Sequence, residues 1–147
     1  MRLLPTRPSR RDGAAAAELA VLLPFLCFLF VIAIDYARIF YFSVTMESAA
    51  RNGAYFASNY PGMYSYQTAQ QVAQDDLSNM TPAPNVAVNY SSNVDGPFTS
   101  TTPIANGYVE VKITWTFRAI TQFPGVPNQT VLVRLCRMRV APITPSF

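Results

Sequence analysis

The stretch that decides the fold is GAAAAELAVLLPFLCFLFVIAIDYAR, residues 13–38. Between residues 14 and 34 its only charged side chain is Glu18. A helix over residues 14–34 would be about 31 Å long, which is close to the hydrocarbon thickness of a bilayer. The stretch therefore predicts a transmembrane helix over residues 14–34.

The charges around this helix are distributed unevenly. Four of the 11 basic residues precede Gly13, namely Arg2, Arg7, Arg10 and Arg11. From Ala14 onward acidic and basic side chains balance, so the formal net charge of +3 does not predict a nucleic-acid-binding surface. Basic residues beside a membrane helix favour the cytoplasmic side. We therefore expect residues 1–13 in the cytoplasm and residues 35–147 across the membrane.

The residue types argue against catalysis. The 147-residue chain has no histidine and two cysteines, Cys27 and Cys136, which lie in segments that we do not expect to meet. Catalytic triads, cysteine–histidine sites and most zinc sites are therefore excluded. Asp75 and Asp76 are adjacent carboxylates without a third type of metal ligand, and we interpret them as solvated. We expect a non-enzymatic protein with no cofactor, metal or nucleic-acid partner.

A cleaved secretory signal peptide is the competing interpretation of a basic N-terminus followed by an apolar segment. Two features favour a helix that stays in the protein. The uninterrupted apolar run over residues 19–34 is slightly longer than a usual signal core. Bulky residues, DYARIFYF, also follow it where a small-residue cleavage site would lie.

Glu18 requires a partner, because a carboxylate at the centre of a membrane helix costs about 2 to 3 kcal/mol, and less near the interface. A cut between Gly13 and Ala14 would create an α-ammonium group one helical turn from Glu18. That group could pair with Glu18 in the same helix or in a neighbouring subunit. The same cut would remove the N-terminal arginines.

These residues resemble a known family. Gly13 followed by Glu18 is similar to the signal of type IV prepilins, which a prepilin peptidase cuts after the glycine, and Pro24 is similar to a proline in many such helices. The stretches ELAVLLPFL, IDYARIF and SAARNGAYFA resemble TadE-like minor pilins or pseudopilins of tight-adherence (Tad) pilus systems, over residues 13–57. Leu19 replaces the usual aromatic residue after the glutamate and leaves the peptidase subtype open, and Ala14 leaves N-methylation open.

The resemblance implies a role in assembly of a Tad-type (Flp) pilus. The implied partners are a prepilin peptidase, other pilins or pseudopilins, inner-membrane Tad assembly proteins and the lipid bilayer. The implied location is the bacterial inner membrane, with a periplasmic C-terminal domain that is larger than expected for major Tad pilins and so favours a minor role. Entry into the fibre is left open. The alternative is a single-pass, membrane-anchored extracytoplasmic binding module that is not processed as a pilin.

Helical character continues beyond the membrane to Ser58. Ala50, Gly53 and Ala54 are small enough to allow close packing, either on the protein's own domain or at a seam between subunits. Asp35 and Arg38 could pair on one helical face or point into water. Residues 60–65 predict a turn, and residues 66–80 predict a second helix.

The rest of the chain predicts strands. Residues 86–90 and 108–117 alternate between apolar and polar side chains, and residues 91–107 between them predict a long loop or a wide hairpin. Residues 130–140 change phase, which predicts a β-bulge near Leu135 and Cys136. Three arginines in that strand could blunt a sheet edge or meet acidic partners: Arg134, Arg137 and Arg139. The fold class is α+β: a long N-terminal transmembrane helix that continues into a small extracytoplasmic, pilin-like domain with a second helix and an antiparallel sheet.

Overall fold

A computed structural model describes residues 10–59, 68–120 and 128–142, with side chains from Gly13 onward. Within these residues the elements follow the order α1 (Arg10–Asn59), α2 (Ala69–Asp75), β1 (Asn85–Ser91), β2 (Tyr108–Arg118) and β3 (Gln129–Arg139). A long apolar helix, a short helix and an antiparallel sheet confirm the predicted α+β class. Most of the basic N-terminus and the turn predicted at residues 60–65 lie outside the described residues.

Helix α1 contains 50 residues and is therefore about 75 Å long. Its N-terminal half is exposed and apolar, and its most apolar 18-residue window has a mean hydropathy of 2.6 with no part buried in the protein. In the part of the chain that the structure describes, it is the one helix that is long and apolar enough to cross a bilayer.

The C-terminal half of α1 packs against the sheet and α2. The helix contributes small and flexible residues to the core, and β2 contributes large ones. The buried apolar residues of α1 are Met46, Ala49, Ala50, Ala54 and Ala57, and those of β2 are Val109, Val111, Ile113, Trp115 and Phe117. The indole N–H of Trp115 donates a hydrogen bond to the carbonyl oxygen of Pro82 at 2.7 Å, so this large buried side chain is also satisfied as a polar group.

Helix α2 is shorter than the predicted segment over residues 66–80. Thr68 caps its N-terminus, since the Thr68 hydroxyl accepts from the Gln71 backbone N–H and the Gln71 side chain accepts from the Thr68 N–H. The helix ends at Asp75, and turns continue to Asn79. Asp, Ser and Asn in this stretch have low helix propensities, and the backbone continues in turns, with the Leu77 N–H bonded to the Gln74 carbonyl and the Ser78 N–H to the Asp75 carbonyl. Ala73, Leu77 and Met80, which recur at helical spacing in this segment, are buried.

The sheet has the order β1-β2-β3, and both pairings are antiparallel. The alternation predicted for β2 is confirmed: its odd-numbered residues from Val109 to Phe117 are buried against α1, and its even-numbered residues face outward. Residues 92–107 form the connection between β1 and β2, in which Ser100 makes an isolated bridge to Tyr90. Of the two predicted alternatives, a long loop or a wide hairpin, the structure has a loop with one isolated bridge.

The predicted bulge in β3 is wrong. The register with β2 runs without interruption from the pair of Tyr108 and Arg139 to the pair of Arg118 and Gln129. Leu132 and Cys136 lie on the face that packs toward the core, whereas Val133 and Leu135 are exposed on the other face. The two apolar phases are therefore the two faces of one regular strand, so no extra residue is needed to reconcile them.

Candidate functional site

Gly13 and Ala14 lie in the first turns of α1 and are exposed. A Cβ atom added to Gly13 would meet nothing within 4 Å, so no other part of the described chain covers this position. Glycine inside a helix costs about 1 kcal/mol relative to alanine. The peptide bond between residues 13 and 14 is therefore accessible, at a point where the helix opens easily.

Glu18 lies four residues after Ala14, which corresponds to about 6 Å along the helix axis. Its side chain is exposed beside Ala17, Val21 and Leu22, which together form a shallow, mostly apolar depression. In the described part of the chain, Glu18 has no ion-pair or hydrogen-bond partner. Since the segments outside the described residues contain no lysine or arginine after Arg7, a cationic partner for this carboxylate must come from the N-terminus or from another molecule.

Pro24 lies inside α1, six residues after Glu18, and the helix continues through it. Proline has no backbone N–H, so the carbonyl group of Ala20 lacks its usual donor within the helix. This position gives the apolar half of α1 a local weakness in its hydrogen-bond ladder.

The small residues of α1 lie against the protein's own domain. Ala50 and Ala54 are fully buried, and Gly53 approaches α2 and β2 closely. A Cβ atom on Gly53 would lie 3.0 Å from the Cβ atom of Ala73, 3.2 Å from the carbonyl oxygen of Ala69 and 3.5 Å from Val111 Cγ1. Two alternatives were open for these small residues, packing on the protein's own domain or a seam between subunits. The contacts seen here are with the protein's own domain. The exposed face of the same helix instead carries bulky residues, namely Tyr36, Phe40, Val44 and Tyr55.

Asp35 joins the helix to the sheet where the apolar segment ends. Its side chain is 12% exposed, and Oδ1 accepts from Arg38 Nη1 at 3.1 Å and from the backbone N–H of Ile120 at 3.2 Å. The Arg38 guanidinium also lies over the ring of Phe117, 5.1 Å from its centroid. The pairing of Asp35 with Arg38 is thus present. The link to Ile120 was missed, because its partners are 85 residues apart and no local pattern signals it.

Replacement of Asp35 by alanine is expected to lower the free energy of unfolding by about 2 kcal/mol, because it leaves the Ile120 N–H and the Arg38 guanidinium without their acceptor. Asp35→Asn retains an acceptor and should cost less. Denaturation of the full chain in detergent micelles, followed by Trp115 fluorescence, measures both. The matched control is Glu47→Ala, which removes an exposed ion pair with Arg51 and should cost about 0.5 kcal/mol or less. Equal losses for the two alanine variants would contradict the role assigned to Asp35.

Polar contacts connect the turns that follow α2 to the C-terminal half of α1, along a shallow groove. Asn52 Nδ2 donates to Asp76 Oδ2 at 2.8 Å, and Asn79 Nδ2 donates to the Tyr41 hydroxyl at 3.3 Å. Asp75 and Asp76 are both exposed, as expected. Asp76 nevertheless takes part in packing the two helices together.

The two cysteines are free thiols, with Cys27 exposed on the apolar half of α1 and Cys136 half-buried in β3. Burial raises the pKa of the Cys136 thiol, while Arg51 lowers that pKa and Glu47 raises it by smaller amounts. Burial likewise raises the pKa of the Tyr90 hydroxyl. Both groups are therefore protonated at neutral pH and are poor nucleophiles there.

The fold and these positions define a protein with one candidate membrane helix that leads directly into a small α+β domain. Residues 13–54 match the model of a family described as TadE-like protein. The resemblance noted in the sequence is confirmed over this segment, which starts at Gly13 and covers most of α1. Searches of curated proteins and of solved structures each found no match. The match concerns this segment of the chain, and the apolar part of α1 indicates single-pass membrane anchoring.

Proposed function

We propose that this chain is a minor pilin or pseudopilin that takes part in assembly of a Tad-type (Flp) pilus in the bacterial inner membrane. A prepilin peptidase removes residues 1–13, residues 14–34 span the membrane, and residues 35–147 form the periplasmic domain. The observation that carries the proposal is the start of the TadE-like match at Gly13, directly before an apolar helix that contains a single carboxylate.

Processing after Gly13 is supported by the local structure. The glycine is exposed, and its helical conformation is weaker than that of the alanines that follow it. A peptidase must bind its substrate in an extended form, and the first turns of α1 can unwind there without disturbing the core, whose first apolar contact with α1 is at Ile39. Removal of the leader also removes the basic residues that favour a cytoplasmic N-terminus.

Glu18 then provides the selective contact between subunits. Processing creates an α-ammonium group at Ala14, and a neighbouring subunit's ammonium can approach the exposed Glu18 carboxylate within the membrane. Opposite charges attract strongly at low dielectric, whereas an unpaired carboxylate there is costly. A subunit in the wrong register leaves the charge unpaired, so the same residue disfavours incorrect packing. This mechanism is non-covalent and requires no enzyme activity or cofactor of the chain itself.

The remaining candidate is a membrane-anchored extracytoplasmic module that keeps its N-terminus and binds a ligand through its sheet or through residues 91–107. The exposed side chains of that loop allow surface recognition. The module and the pilin differ in the fate of residues 1–13, so the mature N-terminus distinguishes them.

Co-expression with a prepilin peptidase tests the proposal. Mass spectrometry of the mature chain should show an N-terminus at Ala14. A Gly13→Val variant should keep its leader, since a β-branched side chain at the cleavage position obstructs the peptidase, and a catalytically inactive peptidase is the matched control. An intact Met1 beside the active peptidase would favour the anchored module. A start well beyond Ile34 would instead indicate a secretory signal peptide.

A further inference from the structure

The strand β3 forms one edge of the sheet. In the described part of the chain it pairs with β2 alone, over all 11 of its residues. The opposite edge, at β1, is partly occupied by the bridge between Tyr90 and Ser100. A long regular edge without such cover presents unpaired backbone groups that can template another strand.

Two hydrogen bonds establish which backbone groups of β3 point outward. The Ala119 N–H donates to the Asn128 carbonyl at 3.2 Å, and the Val140 N–H donates to the Gly107 carbonyl at 2.9 Å. Both pairs of residues continue the register of β2 with β3. Along an antiparallel ladder, hydrogen-bonded pairs alternate with pairs that are not hydrogen-bonded. The even-numbered residues of β3 therefore bond to β2. Its odd-numbered residues direct their N–H and C=O groups to the free edge.

The same odd-numbered residues carry an exposed apolar stripe. Val131, Val133 and Leu135 are 61%, 38% and 49% exposed, respectively. Arg134 lies between them in sequence, and its Nη1 donates to the Val133 carbonyl at 2.9 Å, which is one of the outward-pointing groups. The edge is thus apolar at its centre, and the Arg134 guanidinium covers one of its acceptors. Natural edge strands of this length are usually interrupted or fully charged.

The charges along β3 indicate the chemistry of a partner. Arg137 is already engaged, since Nε donates to Glu110 at 2.8 Å and its guanidinium stacks over the ring of Phe98. Arg134 and Arg139 have no acidic partner among the described residues. A second copy of β3 would bring the same arginines to the seam, where like charges repel. An acidic segment would neutralise them.

We propose that β3 binds an extended, acidic segment of another protein by strand addition. Backbone groups of that segment pair with the outward N–H and C=O groups of β3. Alternate apolar side chains of the segment cover Val131, Val133 and Leu135 on the outer face. Its carboxylates draw Arg134 away from the Val133 carbonyl, which frees that acceptor for pairing, and neutralise Arg139. This binding does not depend on removal of the leader.

The test uses the full chain in detergent micelles and fluorescent synthetic peptides that alternate valine with threonine. One peptide carries two glutamates, one in place of a threonine, toward the face of Arg134, and one in place of a valine, toward the face of Arg139. Its matched control carries lysines at the same two positions. Fluorescence anisotropy should show binding of the acidic peptide at least about tenfold tighter than that of the lysine peptide, as expected for two charge-assisted contacts. Equal binding of both peptides would overturn the proposal.

Two variants separate backbone pairing from charge. Val133→Pro removes an N–H that points to the free edge and leaves every bond from β3 to β2 intact, so it should weaken acidic-peptide binding at least about tenfold. The control Val133→Thr keeps that N–H and should bind within about threefold of the original chain. Trp115 fluorescence on denaturation verifies that both variants are folded. Unchanged binding by the folded Val133→Pro variant would overturn strand addition.

The double variant with Arg134→Glu and Arg139→Glu keeps the backbone of the edge and reverses its charge. It should prefer the lysine peptide to the acidic one, because the same two positions then carry carboxylates. A retained preference for the acidic peptide would overturn the assigned charges. A further outcome is that the chain binds neither peptide but associates with itself, and that Val133→Pro abolishes this self-association. That result would identify a second copy of the chain as the occupant and would likewise overturn the proposal.

Discussion

Replacement of Glu18 by leucine is expected to leave the chain in the membrane and to abolish its incorporation into pili or into a complex with other pilus proteins. Leucine removes a charge that costs about 2 to 3 kcal/mol at a helix centre, and so insertion becomes easier. The carboxylate, however, is the one charged group between residues 14 and 34 that can attract a processed N-terminus. Its loss removes the electrostatic preference for the correct packing of subunits.

The measurement compares the amount of variant in the membrane fraction with the amount in sheared pili and in pull-downs of other pilus proteins. Glu18→Gln is the closest control for charge, because it keeps the shape and should fail in the same way. Ala17→Leu changes the neighbouring position to the same apolar residue and should assemble. Mass spectrometry must also show that each mature chain starts at Ala14. A defect in assembly is then distinguished from a defect in processing. Normal piliation and pull-down by Glu18→Leu would refute charge pairing.

Local patterns in the sequence were enough to predict the main elements. The apolar run over residues 14–34 predicts the first half of α1, and the period-two alternation predicts β2 and its buried face. The spacing of Gly13 and Glu18 is also local, so the candidate processing and pairing positions could be identified before the fold was known. Each of these signals depends on residues that are close in sequence.

The errors arose where two arrangements produce the same local pattern. Apolar residues on both phases of β3 indicate either a bulge or a regular strand with an exposed apolar stripe, and only the register with β2 distinguishes them. The end of α2 at Asp75 follows from the low helix propensities of the Asp, Ser and Asn residues after it, which the apolar period does not reveal. The bond from Asp35 to the Ile120 N–H connects distant segments and has no periodic signature. Pairing across the sheet and the helix–sheet junction therefore required the structure.

The small residues of α1 show the same limit. Gly53 is predicted to permit close approach, but the sequence does not specify what approaches. The structure identifies α2 and β2, and it also shows that the nearest contacts include the backbone oxygen of Ala69, 3.2 Å from an added Cβ atom. A backbone atom in a capped helix cannot rotate away as a flexible side chain can. This position should therefore be among the least tolerant of larger residues in the chain.

Gly53→Val is accordingly expected to lower the free energy of unfolding by about 3 kcal/mol, the upper part of the usual range for overpacking a core. Gly53→Ala should lose less, because its gain of about 1 kcal/mol in helix propensity offsets part of the clash. Trp115, the single tryptophan of the chain and only 5% exposed, reports the transition by fluorescence in denaturant.

Ser48→Val is the matched control, since it places the same β-branched residue at an exposed position of the same helix and should change stability by about 0.5 kcal/mol or less. A large loss specific to Gly53→Val would locate the effect at the contact of α1 with α2 and β2. If Gly53→Val and Ser48→Val unfold at the same denaturant concentration, α2 can move away from α1 at little cost in free energy. In that case the small-residue face would be available to a neighbouring subunit, as the alternative interpretation of these residues requires.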